Sequence, residues 1–168
     1  MKTLIKRNAD QFDTIQNMRK YAIIGAKDPF FRNFIKKNNI KGDIDGIKQI
    51  SAYIFKNIAF EKDVKNNQII RYGTRSLRDG YGNCVDYSVL LSQFFINLGI
   101  PHSFKMVATE SIMPENYNHI YVMLDDYMLP IDLVIGQDQD GNEDLKTKRT
   151  MHLFKEVPHF NSYKLKVI

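Results

Sequence analysis

The spacing of apolar residues changes character once along this chain, at Leu98-Gly99-Ile100-Pro101. Before that point they recur at three- and four-residue steps, the period of a helix with one buried face. After it they come in short runs rich in β-branched and aromatic side chains, the pattern of strands. Gly99 suits the left-handed residue that closes a helix, and Pro101 cannot continue one. Helices followed by a run of closely connected strands predict an α+β fold, with helices packed on an antiparallel sheet. The 168 residues show no repeat, linker or low-complexity tract, so one domain over residues 1–168 is expected.

The helical half divides at its own punctuation. Phe12, Ile15, Met18, Tyr21 and Ala22 share a face, which predicts a helix over 8–24 with Asp10 or Asn8 as its cap and Gly25 as its end. Asp28-Pro29 is a cap followed by proline at the first helical position; Phe30, Phe31, Phe34 and Ile35 follow, and Asn38-Asn39 and Gly42 break the pattern. From Asp43, the stripe Ile44, Ile47, Ile50, Ile54, Ile58 predicts a third helix whose face is core. Between 60 and 71 the period fails, which reads as an exposed connection with an extended piece at Ile69-Ile70. A Gly-rich approach then leads into a helix over 83–98. Predicted strands follow at 103–108, 119–124 and 127–134, with a turn at Asp125-Asp126. A polar loop is expected over 136–144, and two more strands at 146–157 and 162–168, with Pro158 between them.

Composition narrows the function classes. The net charge of +5 comes from 24 basic and 19 acidic residues scattered along the chain, and no nucleic-acid motif accompanies it, so no nucleic-acid partner is expected. The one cysteine excludes an internal disulfide and a multi-cysteine zinc site. Met1 to Arg7 lacks the apolar core of a signal peptide, and no run approaches the roughly 18 apolar residues of a membrane span. The expectation is a soluble protein, cytoplasmic or part of a phage particle. Asp138 to Asp144 has the composition of a calcium loop, but its glycine stands at position 4 of the motif and Arg149 occupies position 12. A turn around Asp140-Gly141 is the simpler reading, and no metal or cofactor is expected.

Cys84 lies in Gly80-Tyr81-Gly82-Asn83-Cys84-Val85-Asp86-Tyr87-Ser88, where the Gly-rich approach becomes the first turn of the predicted helix. A thiol there faces unpaired backbone N–H groups and the positive end of the helix dipole, which favour the thiolate. The same N–H groups can hold an oxyanion. Asp86 and Ser88 suit support of the helix start. A lone cysteine can equally be a small buried apolar residue. A nucleophile needs a base and a residue to orient it. Of the histidines, His102 is expected in a loop, His152 mid-strand and His159 in a turn. His119 opens a strand, and Asp132 interrupts the apolar run from Met128 to Ile135. A hairpin turning between 125 and 126 would pair His119 roughly with Asp132.

With those residues in view, Gly82-Asn83-Cys84-Val85-Asp86-Tyr87-Ser88-Val89-Leu90-Leu91 and Leu98-Gly99-Ile100-Pro101 resemble the nucleophile helix of the transglutaminase-like superfamily. Asn118-His119-Ile120-Tyr121-Val122 and Leu129-Pro130-Ile131-Asp132 resemble its histidine and aspartate strands. The resemblance covers about residues 44–135. It implies a papain-like fold, a cysteine-bearing helix on an antiparallel sheet, and acyl transfer from an amide of a peptide or protein through a thioester. Cys84 would be the nucleophile, His119 the general base and acid, and Asp132 the orienting acid. Asn83 stands where many relatives carry Asp; Asn83, Tyr81 and Tyr72 are candidates for oxyanion or supporting roles. A second possibility is a binding or structural module of the same fold, for example in a bacterial or bacteriophage assembly.

Overall fold

The computed structural model describes residues 4–7, 10–61, 67–113, 116–134 and 152–168. The polar loop over 136–144, the calcium-loop candidate and residues 146–151 of the predicted fourth strand lie outside them.

The chain opens with β1 (Leu4–Arg7) and three helices: α1 (Gln11–Gly25), α2 (Pro29–Lys37) and α3 (Ile44–Asn57). Each helix starts at an aspartate. Asp10, Asp28 and Asp43 accept the N–H of Phe12, Phe30 and Gly46, satisfying donors that a helix start leaves without a partner. Two short strands follow, β2 (Ala59–Phe60) and β3 (Asn67–Ile70), the latter antiparallel to β1. The stretch read as a Gly-rich approach instead contains a helix, α4 (Gly73–Asp79), closed by Gly80 at φ 76°. Its glycine is there for clearance: a Cβ at Gly73 would lie 2.3 Å from Gln93 Oε1 and 2.6 Å from Leu90 Cδ1. Helix propensity disfavours Gly at that position, and tertiary packing overrides it.

A two-residue strand, β4 (Tyr81–Gly82), pairs in parallel with β2 and delivers the chain to α5 (Cys84–Leu98). Every residue of α5 from Val85 to Phe95 is buried, because the helix is surrounded. It packs against α1 to α4 and against the sheet. Phe30, Phe31, Phe34 and Tyr53 gather around Phe94, with Phe31 edge-on at 4.9 Å. Gln93, fully buried, accepts the Gly73 N–H at 3.0 Å and donates to the Tyr21 carbonyl at 3.1 Å, joining α4, α5 and α1.

After Gly99 (φ 67°) come β5 (His102–Ala108), β6 (His119–Leu124), β7 (Leu129–Asp132), β8 (His152–Leu153) and β9 (Asn161–Lys166). They form an antiparallel sheet in the order β8-β7-β6-β5-β9. Phe104, Met106, Ile120, Val122, Leu124 and Ile131 belong to the main core with α5. Val107, Tyr121 and Met123 form a smaller cluster with Val157. The fold is therefore α+β, with the cysteine-bearing helix packed on an antiparallel sheet.

Several boundaries move. Of the predicted strand over 146–157, only His152–Leu153 is strand among the described residues. The hairpin turn takes Asp125 to Met128 rather than two residues, with Met128 at φ 52°, and the third strand is confined to Leu129–Asp132. His102 is not in a loop: it opens β5 and is wholly buried between the Phe95 and Phe104 rings. No helix among the described residues is long and apolar enough to cross a membrane.

Candidate active site

Asn83 and Asp86 fix the start of α5. The Asn83 side chain accepts the Asp86 N–H at 3.1 Å, and the Asp86 carboxylate accepts the Asn83 N–H at 3.2 Å, a reciprocal capping box. Cys84 is the first residue inside this cap and is partly exposed. At that position its own N–H and that of Val85 have no acceptor within the helix and sit at the positive end of its dipole.

Ser88, one turn on, donates to the Cys84 carbonyl at 2.8 Å, with a longer approach of 3.4 Å to the carbonyl of Ile120. Ile120 follows His119, so the hydroxyl lies where α5 meets the histidine strand. The Cys84 side chain is close enough to the His119 ring to raise its basicity. His119 Nε2 is hydrogen-bonded to Asp132 Oδ2, which leaves Nδ1 as the ring nitrogen for the thiol. Asp132 is 1% exposed, and its other oxygen accepts the Val134 N–H at 2.9 Å. Both carboxylate oxygens are thus engaged, and the imidazole is held between sulfur and carboxylate.

Burial alone lowers an imidazole's pKa. Here the hydrogen bonds and charges of Asp132 and Cys84 outweigh it, and His119 is pushed up to about 10. The protonated ring is the form that pairs with a thiolate and can give a proton to a leaving amine. His102, which is wholly buried, goes the opposite way. Burial pulls His102 down to about 4, opposed in part by the Ile100 carbonyl and Asp125. Its Nδ1–H donates to Ile100 at 2.7 Å and its Nε2 accepts from the Ser92 hydroxyl at 2.6 Å, the arrangement of a neutral ring.

Tyr121 lies beside His119 with ring centroids 5.9 Å apart, and its hydroxyl donates to Glu156 at 2.6 Å. Burial, then Glu156, pushes the Tyr121 phenol upward, so it stays a donor. The three residues expected to form a triad are brought together. The supporting candidates are placed elsewhere in the local framework: Asn83 caps α5, Tyr72 stacks on Tyr21 at 4.5 Å, and Tyr81 lies under the Arg71 guanidinium at 5.0 Å. His159 bonds its own loop through the Val157 carbonyl, and His152 pairs with Asp132 along the β7–β8 ladder. Sequence reasoning missed Arg71, which forms an ion pair with Asp86. The capping box is visible as Asn-x-x-Asp, but nothing local to Arg71 marks its partner, 15 residues away. Among the described residues no group of three or more His, Cys, Asp or Glu side chains is arranged to hold a metal ion.

No family model matches the chain, and no curated protein matches it. A solved structure, described as a putative cysteine protease from Cytophaga hutchinsonii, is similar to it over 98% of this chain at 14% identity, with a TM-score of 0.48. The chain covers 62% of that protein's length. A likeness so distant carries no functional assignment.

Proposed function

We propose that the chain is a cysteine hydrolase of the transglutaminase-like, papain-like kind, acting on an amide bond of a peptide or protein through a thioester. The observation that carries this reading is that Cys84, at the start of a buried helix, lies against His119, whose ring is hydrogen-bonded to Asp132. In the first half-reaction the Cys84 sulfur attacks the amide carbonyl carbon. The oxyanion turns toward the free N–H groups of the first turn of α5. The C–N bond breaks as His119 protonates the leaving nitrogen. In the second, His119 takes a proton from water, the oxygen attacks the thioester, and the C–S bond breaks to return Cys84 and release the acid. Asp132 keeps the imidazole in orientation and compensates its charge through both halves. No cofactor enters either step.

The test is an electrophilic thiol probe applied to the wild type and Cys84→Ala, followed by a peptide library screened for hydrolysis. Labelling confined to Cys84, and turnover lost in Cys84→Ala and His119→Ala while both remain folded, is the expected result. A wild-type chain that labels no faster than free cysteine and cleaves nothing in the library would overturn the reading.

A further inference from the structure

Behind the start of α5 lies an ion pair that the proposed chemistry does not use. Arg71, just past the end of β3, donates through Nη1 to Asp86 Oδ2 at 2.5 Å and through its backbone N–H to Oδ1 at 2.9 Å. The two side chains are 11% and 0% exposed. The same carboxylate holds the Asn83 N–H. The Arg71 guanidinium also covers the Tyr81 ring, and a Cβ added at Gly82 would come within 2.8 Å of Asp86 Cβ. Three stretches that frame Cys84 (residue 71, residues 81–83 and the first turn of α5) therefore converge on one buried carboxylate.

That carboxylate has two opposed effects. At the third position of a helix it complements the dipole and satisfies a terminal donor. It also places a negative charge two residues from the atom that must itself become negative. Like charges in a poorly hydrated site disfavour each other's ionisation. Among the described residues, the charged and titratable groups gathered at the start of α5 are His119, with Asp132 behind it, from the sheet, and Asp86, Arg71 and Tyr81 from behind the helix. Pairing by Arg71 makes the Asp86 contribution close to neutral. The imidazolium and the helix dipole then dominate the field at sulfur.

We propose that Arg71 is a positioning residue of the Cys84 site: it cancels the charge of Asp86, so the carboxylate fastens the start of α5 without opposing the thiolate. The inference rests on Cys84 being an activated nucleophile, and it adds a residue outside the triad.

The experiment is the rate of alkylation of the full chain by iodoacetamide across roughly pH 5 to 9, which needs no substrate. Thermal melts accompany each variant. Burial holds the Asp86 carboxyl above its ordinary range and Arg71 opposes this, so Arg71→Met is expected to move the profile to higher pH and slow alkylation about three- to tenfold in the pH range where the unpaired carboxyl is ionised. Asp86→Asn, which keeps an acceptor for the Asn83 N–H, moves it to lower pH. The double variant returns to within about twofold of wild type, since the net local charge is restored. Arg71→Lys keeps the charge and stays near the wild-type profile even if it melts lower. A purely structural role predicts slower alkylation for Asp86→Asn and no rescue in the double variant; either result overturns the proposal, also where Arg71→Met does not fold. Wild-type Cys84 alkylating no faster than free cysteine would sink the nucleophile reading and this inference together. An activated wild type with unmoved Arg71→Met and Asp86→Asn profiles would sink this inference alone.

Discussion

His119 reaches Asp132 diagonally across the β6–β7 ladder. Val122 pairs with Ile131, so Asp132 stands opposite Tyr121, and His119 is two residues further along the neighbouring strand. Counting from a two-residue turn puts His119 directly opposite. The wider turn, Asp125 to Met128, shifts the register by two. Side chains alternate with a period of two, so the shift keeps His119 and Asp132 on one face and converts a direct pair into a diagonal one. A shift of one would have separated them.

Asp132→Asn tests what that carboxylate does. Its amide oxygen can still accept the Val134 N–H, so the fold should survive. The charge that keeps His119 protonated is lost, however. Turnover on any substrate found is expected to fall by about two to four orders of magnitude, and the His119 ring, followed by NMR, should titrate at lower pH than in wild type. An unchanged titration would remove Asp132 from the relay.

Cys84→Ala should separate chemistry from folding. The side chain is partly exposed and packs at the edge of the core, so the change is expected to cost under about 1.5 kcal/mol in urea denaturation. Thiol-probe labelling should vanish. By contrast, Phe94→Ala removes a fully buried ring and is expected to cost about 3–5 kcal/mol. A large loss in Cys84→Ala would mark the cysteine as a structural residue.

His119 and His102 together predict a stability optimum near neutral pH. The folded pKa of His119 is raised to about 10, so its contribution is complete below the unfolded value of about 6.5 and is lost as pH climbs through about 10. That of His102 is lowered to about 4, so its contribution is present above about 6.5 and is lost as pH falls through about 4. Urea midpoints measured across pH should drop on both sides. His102→Gln should flatten the acid side, and His119→Gln the alkaline side. A His102→Gln variant with an unchanged acid slope would assign that slope to carboxylates instead.

Gly73 and Gly80, at the two ends of α4, should respond differently to alanine. At Gly80 there is open space and a left-handed backbone, so the cost is the strain alone, roughly 1–2 kcal/mol. At Gly73 the backbone is ordinary, but the new Cβ would lie 3.1 Å from Leu90 Cα and closer still to the Gln93 side chain. Neither a helix backbone nor a buried, doubly bonded amide yields cheaply, so about 3 kcal/mol or more is expected. Thermal melts of the two variants settle the order, and a milder effect at Gly73 would show that α4 is free to move away from α5.

Much of the fold is legible before any coordinates. The three aspartate caps, the core stripe of α3, the change of period at Pro101 and the strand at 119–124 are local signals, each with its own chemistry. α4 was not legible, because its glycine obeys the clearance needed against Leu90 and Gln93 rather than helix propensity. His102 was misplaced because a polar residue after proline reads as loop. Ser92 and the Ile100 carbonyl satisfy its two ring nitrogens, and two phenyl rings pack around it, which makes a buried strand position tolerable.

The sequence by itself determined an α+β chain, a cysteine at the first turn of an apolar helix, and a histidine and aspartate on neighbouring strands. These follow from periodicity and turn chemistry, which act over a few residues. The tertiary structure alone decided that Ser88 reaches from α5 to β6, that His119 meets both Cys84 and Asp132, and that Arg71 comes back to pair with Asp86. Those contacts join residues 13 to 35 positions apart, set by how the helix lies on the sheet, and no local preference encodes that placement.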